Sequence, residues 1–221
     1  MHSKHQDVVV VAVSLFAVSA FVLAAVALAR WRRVSPSSIR TALHTGVGAW
    51  TLLVTPYFHS LVWALVPPSL FLIVNASPWA RPLFREIEGT PERAKGLWTF
   101  PAGVVLVYAL FWEPGSRPAI LAGLCALAFA DPAAALAGKR FGQRKFQRFG
   151  HGRTLEGSLA FLLVAGVAAG LVASAQATGA LPWRVGVGCG ALGAVAEAIT
   201  PSGWDNLTIP LTVAAAYSVL V

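Results

Sequence analysis

Charge is what this chain has least of. Of its 221 residues only 12% are Asp, Glu, Lys or Arg, where an ordinary soluble domain has roughly 25%. Carboxylates are the scarcer sign, nine against 17 Lys and Arg. Cysteine is reduced to Cys125 and Cys189, each inside an apolar segment, which fits small packing residues and argues against a disulfide framework or a thiolate metal site. No signature of an RNA- or DNA-binding module is present, so the net charge of +8 does not call for nucleic acid. No internal repeat stands out, which speaks against a transporter built from two inverted halves.

What the chain has instead is apolar sequence. Hydrophobic residues make up 57% of it, and the mean hydropathy is +0.68. A membrane helix needs about 20 predominantly apolar residues. Candidate spans of about that length run over 8–29, 42–58, 60–76, 97–113, 118–138, 155–176, 183–200 and 205–221. The first is too long for a signal-peptide core and lacks a clear small-residue cleavage site before the arginines that follow, so it reads as a retained span. The expected fold is all-α: one integral membrane domain over 1–221, a polytopic bundle of about eight transmembrane helices, seven being the lower count.

The cations support that count. Arg30, Arg32, Arg33 and Arg40 follow the first span, and Arg81, Arg85, Arg93 and Lys95 the third. Lys139, Arg140, Arg144, Lys145, Arg148 and Arg153 follow the fifth, which puts 14 of the 17 on one side if all eight spans are real. By the positive-inside rule that side is cytoplasmic and both termini face the other way. Basic loops also suit the headgroups of membrane lipids.

The acids fall where that rule does not ask for them. Asp131, Glu156, Glu197 and Asp205 sit within or at the ends of spans five to eight, all toward the basic side. Intramembrane carboxylates are costly and usually functional. Each also has a structural reading: Asp131, before Pro132, as the N-cap of a half-helix, Glu156 as part of a capping box, Asp205 as an N-cap. Glu197, near a helix C-terminus, opposes the dipole and has the least local reason to be there. Arg40 and His44 lie one helical turn apart on the same side of the membrane. The stretch from Asp131 to Ser158 combines acids, cations and glycines, the parts for handling a phosphorylated nucleotide.

Four segments carry a resemblance, in order. Asp131-Pro-Ala-Ala-Ala-Leu-Ala-Gly138-Lys139-Arg140-Phe-Gly142 resembles the "GD-x-A-A-x-x-G-x-x-x-G" segment of the dolichol kinase and phytol kinase family. Gly152-Arg153-Thr154-Leu-Glu156-Gly-Ser158 resembles its "G-K-T-x-E-G-S", and Glu197 with Asp205-Asn206-Leu-Thr-Ile-Pro210 its "E…D-N-x-x-[IV]-P". Arg40…His44…Gly48 resembles its "R-K-x-x-H-x-x-x-G". Ala130, Thr41 and Arg153 depart from the family's Gly, Lys and Lys, and Arg for Lys is not a neutral exchange at a phosphate site.

The resemblance implies a kinase that phosphorylates the hydroxyl of a long-chain lipid alcohol, with CTP, or less expectedly ATP, as nucleoside triphosphate and a divalent cation such as Mg2+. Asp131 and Asp205, with Glu197, are the expected metal ligands. Lys139, Arg140, Arg153 and Thr154, with Gly138, Gly142 and Gly152, are expected around the nucleotide phosphates. Glu156, Asn206 and His44 complete the expected site. Two other classes stay open: a CDP-lipid-forming cytidylyltransferase, whose "P-G-H-G-G-x-x-D-R" signature Gly150-His151-Gly152-Arg153 matches poorly, and a transporter or scaffold using intramembrane acids.

Overall fold

The structure is a computed structural model that describes residues 2–31, 34–80, 82, 84, 91–148, 151–176 and 181–221. Arg32, Arg33, Arg81 and Arg85 of the first two basic loops lie outside the described residues. Among the described residues the chain is helical apart from one hairpin and the short turns between helices. The helices are α1 (His2–Arg30), α2 (Pro36–Val54), α3 (Leu61–Ala76), α4 (Pro91–Phe111), α5 (Arg117–Cys125), α6 (Asp131–Phe141), α7 (Leu155–Gln176), α8 (Pro182–Ile199) and α9 (Asp205–Leu220). A π turn, Ala126–Ala130, joins α5 to α6, so the two run as one interrupted helix.

Among the described residues three helical stretches are long and apolar enough to cross a membrane: Ser3–Arg30, Arg117–Phe141 and Leu155–Gln176; Leu61–Ala76 and Lys95–Phe111 are shorter apolar helices. These mark the chain as a membrane protein. The outer face of α7 shows why. Leu159, Leu163, Val167 and Leu171, one turn apart, are all exposed, a continuous apolar stripe of the kind that soluble monomers do not carry.

The helices alternate in direction. At one end, the backbone amide of His59, just before α3, donates to Asp7 Oδ1 of α1 at 2.8 Å, and Arg117 at the start of α5 reaches the Phe58 carbonyl at 3.5 Å. At the other end, Ala29 closing α1, Ile39 opening α2 and Ala80 following α3 pack together with Leu97 of α4. The site described below lies at that second end.

Two kinds of packing hold the bundle. Between α7 and α8 the contact is made by glycine. A Cβ on Gly166 would sit 3.0 Å from the Gly186 carbonyl oxygen, and one on Gly186 2.6 Å from the Gly166 oxygen, so the backbones touch, as the small residues of these spans predict. In the α1–α4 half, the buried side chains are large, Phe58, Val104, Val107 and Tyr108 among them.

The hairpin was not foreseen. β1 (Lys145–Arg148) and β2 (His151–Thr154) pair antiparallel, with Lys145 opposite Thr154 and Phe146 opposite Arg153. It occupies the basic connection that the sequence reading treats as an open loop.

Candidate functional site

The site begins with a proline. Pro132 has no N–H, and its ring crowds the carbonyl four residues back. The helix widens by one residue before it: Asp131 N–H donates to Ala126 O, five residues back, in the π pattern. The Leu127 carbonyl is thereby stranded. Its partner in the α pattern, Asp131 N–H, is already used, and its partner in the π pattern is Pro132. His44 of α2 fills the gap, with Nε2 2.7 Å from Leu127 O. A carbonyl only accepts, so Nε2 carries the proton, and Nδ1 is the nitrogen left to accept. The same Nε2 is 3.8 Å from Asp131 Oδ2. Asp131 is therefore a helical residue, φ −63° and ψ −49°, inside one continuous path, and not the N-cap of a new half-helix.

The second part of the site is a bridged acid pair. Arg153 at the end of β2 lies between two carboxylates, with Nη1 2.7 Å from Glu197 Oε1 of α8 and Nη2 3.2 Å from Asp205 Oδ2 of α9. Glu197 is buried, and its other oxygen accepts from Ser158 Oγ of α7 at 3.0 Å. Asp205 Oδ1 accepts from the backbone amides of Gly203 and Asn206, both at 3.1 Å. Gly203 has φ 86°, the left-handed conformation that glycine adopts without strain, and this turn aims its amide at the carboxylate. Asp131 lies within electrostatic reach of Asp205, Arg153 and Glu197, so the two parts are one cluster.

Other expected site residues are placed differently. Glu156 Oε1 accepts from the Arg144 backbone amide at 3.2 Å, and so ties the start of α7 to the hairpin; neither of its hydrogen bonds nor ion pairs among the described residues is to Arg153. Thr154 is the N-cap of α7, its Oγ1 accepting from Gly157 N–H at 3.1 Å. Gly138 gives room to that same threonine: a Cβ there would meet Thr154 Oγ1 at 2.8 Å. Gly142 packs the Thr154 methyl in the same way, at 2.6 Å. A Cβ on Gly142 would also meet the Gly138 carbonyl, so both glycines sit in the close contact between the end of α6 and Thr154. Gly152 faces open space. Lys139 and Arg140 are exposed at the end of α6, where their charge also suits the helix dipole. Asn206 is buried and staples α9 to α4, donating to Thr99 Oγ1 at 3.1 Å and to the Gly96 carbonyl at 3.3 Å.

A cavity that no sequence motif marks lies beside this cluster. It measures about 410 Å³ and runs between α1, α2, α3 and α4. Its wall is apolar over most of its length, with Val18, Val22, Val47, Phe71 and Phe100 among the lining residues. Its polar end is made by Arg40, His44 and Asn206, so His44 borders both the cavity and Asp131. Ser158, a residue without an assigned part in the sequence reading, also enters the site through Glu197.

Among the described residues no group of three or more His, Cys, Asp and Glu side chains is arranged to hold a metal ion by itself. Asp131 and Asp205 still supply two carboxylates to one end of the bundle. That suits Mg2+, which is commonly held by one or two carboxylates together with substrate phosphates. The chain matches no family model, no curated protein and no solved structure.

Proposed function

We propose that the chain is a multi-pass membrane phosphotransferase that transfers the γ-phosphoryl group of a nucleoside triphosphate, CTP before ATP, to the hydroxyl of a lipid alcohol. The observation that carries this reading is the meeting of unlike parts at His44. A charged cluster of Asp131, Arg153, Glu197 and Asp205 adjoins the polar end of an apolar cavity. A lipid alcohol has the same division, a hydroxyl on an apolar tail. All eight helical passes cross the bilayer in this reading, with the basic loops and the cluster on the cytoplasmic side and both termini opposite.

The chemistry asked of the protein is modest. Phosphoryl transfer depends on positioning and on neutralising charge. The alcohol oxygen forms a bond to the γ-phosphorus, the bond to the bridging oxygen breaks, and the nucleoside diphosphate leaves. A carboxylate of the cluster takes the hydroxyl proton. Asp131 and Asp205 would hold Mg2+, which would neutralise phosphate charge. Arg153 keeps Glu197 and Asp205 together and brings a guanidinium to the place where phosphate would lie. Lys139, Arg140, Arg144 and Lys145, all exposed at this end, would draw the nucleotide in.

The test is an assay of the purified protein with γ-labelled CTP or ATP, Mg2+ and a panel of lipid alcohols. Label on the lipid is expected, and it should vanish in Asp131→Asn and Asp205→Asn while the proteins still insert and fold. Transfer of CMP to the lipid without the γ label would replace this reading with the cytidylyltransferase. Full activity in both variants would remove the site.

A further inference from the structure

We infer that the cavity between α1, α2, α3 and α4 seats the tail of the lipid, and that Phe58 and Tyr108 at its far end set the longest tail accepted. This rests on the lipid-alcohol reading above and adds a length limit to it. The cavity has a direction. Arg40, Leu43, His44, Val47, Thr51 and Val54 of α2 line it at helical spacing, from the charged cluster to the opposite end of the bundle. Fourteen residues separate Arg40 from Val54, so this wall is about 21 Å long at roughly 1.5 Å per residue. The headgroup position is fixed by His44, which borders Asp131. The tail must therefore point toward Val54.

The lining it meets there is buried. Phe58, Ala64 and Tyr108 line the far end, and each is at most 2% exposed. The floor is also tied down. Tyr108 Oη and Thr55 Oγ1 are 2.7 Å apart, the Tyr108 ring stacks edge-on against Trp112, and Arg117 holds the Phe58 carbonyl. A volume of about 410 Å³ lies in the lower part of the range of roughly 300–1,000 Å³ typical of small-molecule sites. A wall of about 21 Å falls short of the roughly 30 Å hydrocarbon thickness of a bilayer. A tail of a few isoprene units fits this space. A polyprenol of many units does not, unless the floor opens.

The experiment measures binding first, without nucleotide, and then turnover. Full-length protein in lipid nanodiscs is given farnesol, geranylgeraniol or solanesol, each carrying a photoreactive diazirine at the tail end. Geranylgeraniol is expected to crosslink near Phe58 and to bind better than solanesol. Phe58→Ala should raise solanesol binding relative to geranylgeraniol by about tenfold or more, the scale on which apolar pockets discriminate chain length. Val54→Phe fills the cavity from within and removes no core side chain. It should shift preference the other way, toward farnesol, and it serves if the floor variant does not fold. A ratio of solanesol to geranylgeraniol binding that is unchanged in both variants would overturn the length limit. Phosphorylation with an unchanged length profile would overturn this inference and leave the kinase standing. A shifted binding profile with no phosphorylation by any nucleotide would sustain the length limit and remove the kinase.

Discussion

The two halves of the bundle solve packing in opposite ways. Around α7 and α8 the buried side chains are mostly small: Ala165, Ala169 and Ala173 on α7 meet Cys189 and Ala194 on α8, with glycine between them. The helices touch backbone to backbone. In the α1–α4 half the buried residues are Phe58, Val104, Val107 and Tyr108, which hold the helices apart. Bulky side chains on neighbouring helices do not fill the space between them completely, and a cavity remains. The charged cluster lies along the seam. Arg153, Glu197, Asp205 and Asp131 come from the close-packed side, and His44 and the cavity from the open side. The close-packed half holds the charges, and the open half holds the empty space.

The largest effect should come from removing the charge at the centre of the close-packed half. Arg153→Met leaves Glu197, which is buried, without its counter-ion. Stranding one member of a buried ion pair costs about 3–5 kcal/mol. A fall in melting temperature and loss of turnover are expected together. Arg153→Met with Glu197→Gln removes the stranded charge, and it should recover most of the stability and none of the turnover. If the single variant melts like the wild type, the buried pair is not what holds this end of the bundle.

A matched pair of smaller changes tests the contrast itself. Gly190→Ala puts a Cβ 2.5 Å from the Leu162 carbonyl oxygen, a backbone atom that cannot step aside. Overpacking of this kind costs about 1–3 kcal/mol. Val47→Leu adds a similar volume but faces the cavity, and should cost less than about 1.5 kcal/mol. Thermal unfolding of both in the same detergent gives the comparison. Equal losses would mean that the two halves are not packed differently.

Much of the helical fold was legible because long apolar runs form helices, and three of these are long and apolar enough to cross a membrane. Each candidate span coincides with a helix, and the glycines at Gly166, Gly170, Gly186 and Gly190 mark the tightest contact as small residues do. The convergence of Asp131, Glu197, Asp205, Arg153 and His44 was legible too, since alternating helix directions bring alternate loops together. What was hidden depends on partners distant in sequence. The packing of Gly138 and Gly142 was hidden, since in three dimensions their neighbour is Thr154. The partner of Glu156 was hidden too, since it is the Arg144 amide just before the hairpin. The hairpin escaped notice because its strands are four residues each, polar, and inside a stretch dominated by charge. The cavity left no trace at all, since a void is set by the spacing of helices and no residue encodes it.

The smallest expected effect concerns the seam, where one missing hydrogen fixes a histidine. Pro132 offers the Leu127 carbonyl no N–H, and His44 supplies one across helices at 2.7 Å. Pro132→Ala restores a backbone donor inside α6, and that donor competes for Leu127 O from within the helix. The change removes a ring from a buried position but also relieves its crowding, so the net stability change should be within about 1 kcal/mol, the scale of a single hydrogen bond. His44 registers it more clearly. Its proton is now held on Nε2 by the carbonyl, and losing that partner lets the ring exchange tautomers or turn toward Asp131. Nitrogen NMR of the ring in selectively labelled protein should show one tautomer in the wild type and an averaged signal in the variant, with turnover reduced and not abolished. An unchanged ring spectrum would mean that the π turn, rather than the missing donor, positions His44, and the open half would then be joined to the charged half by shape alone.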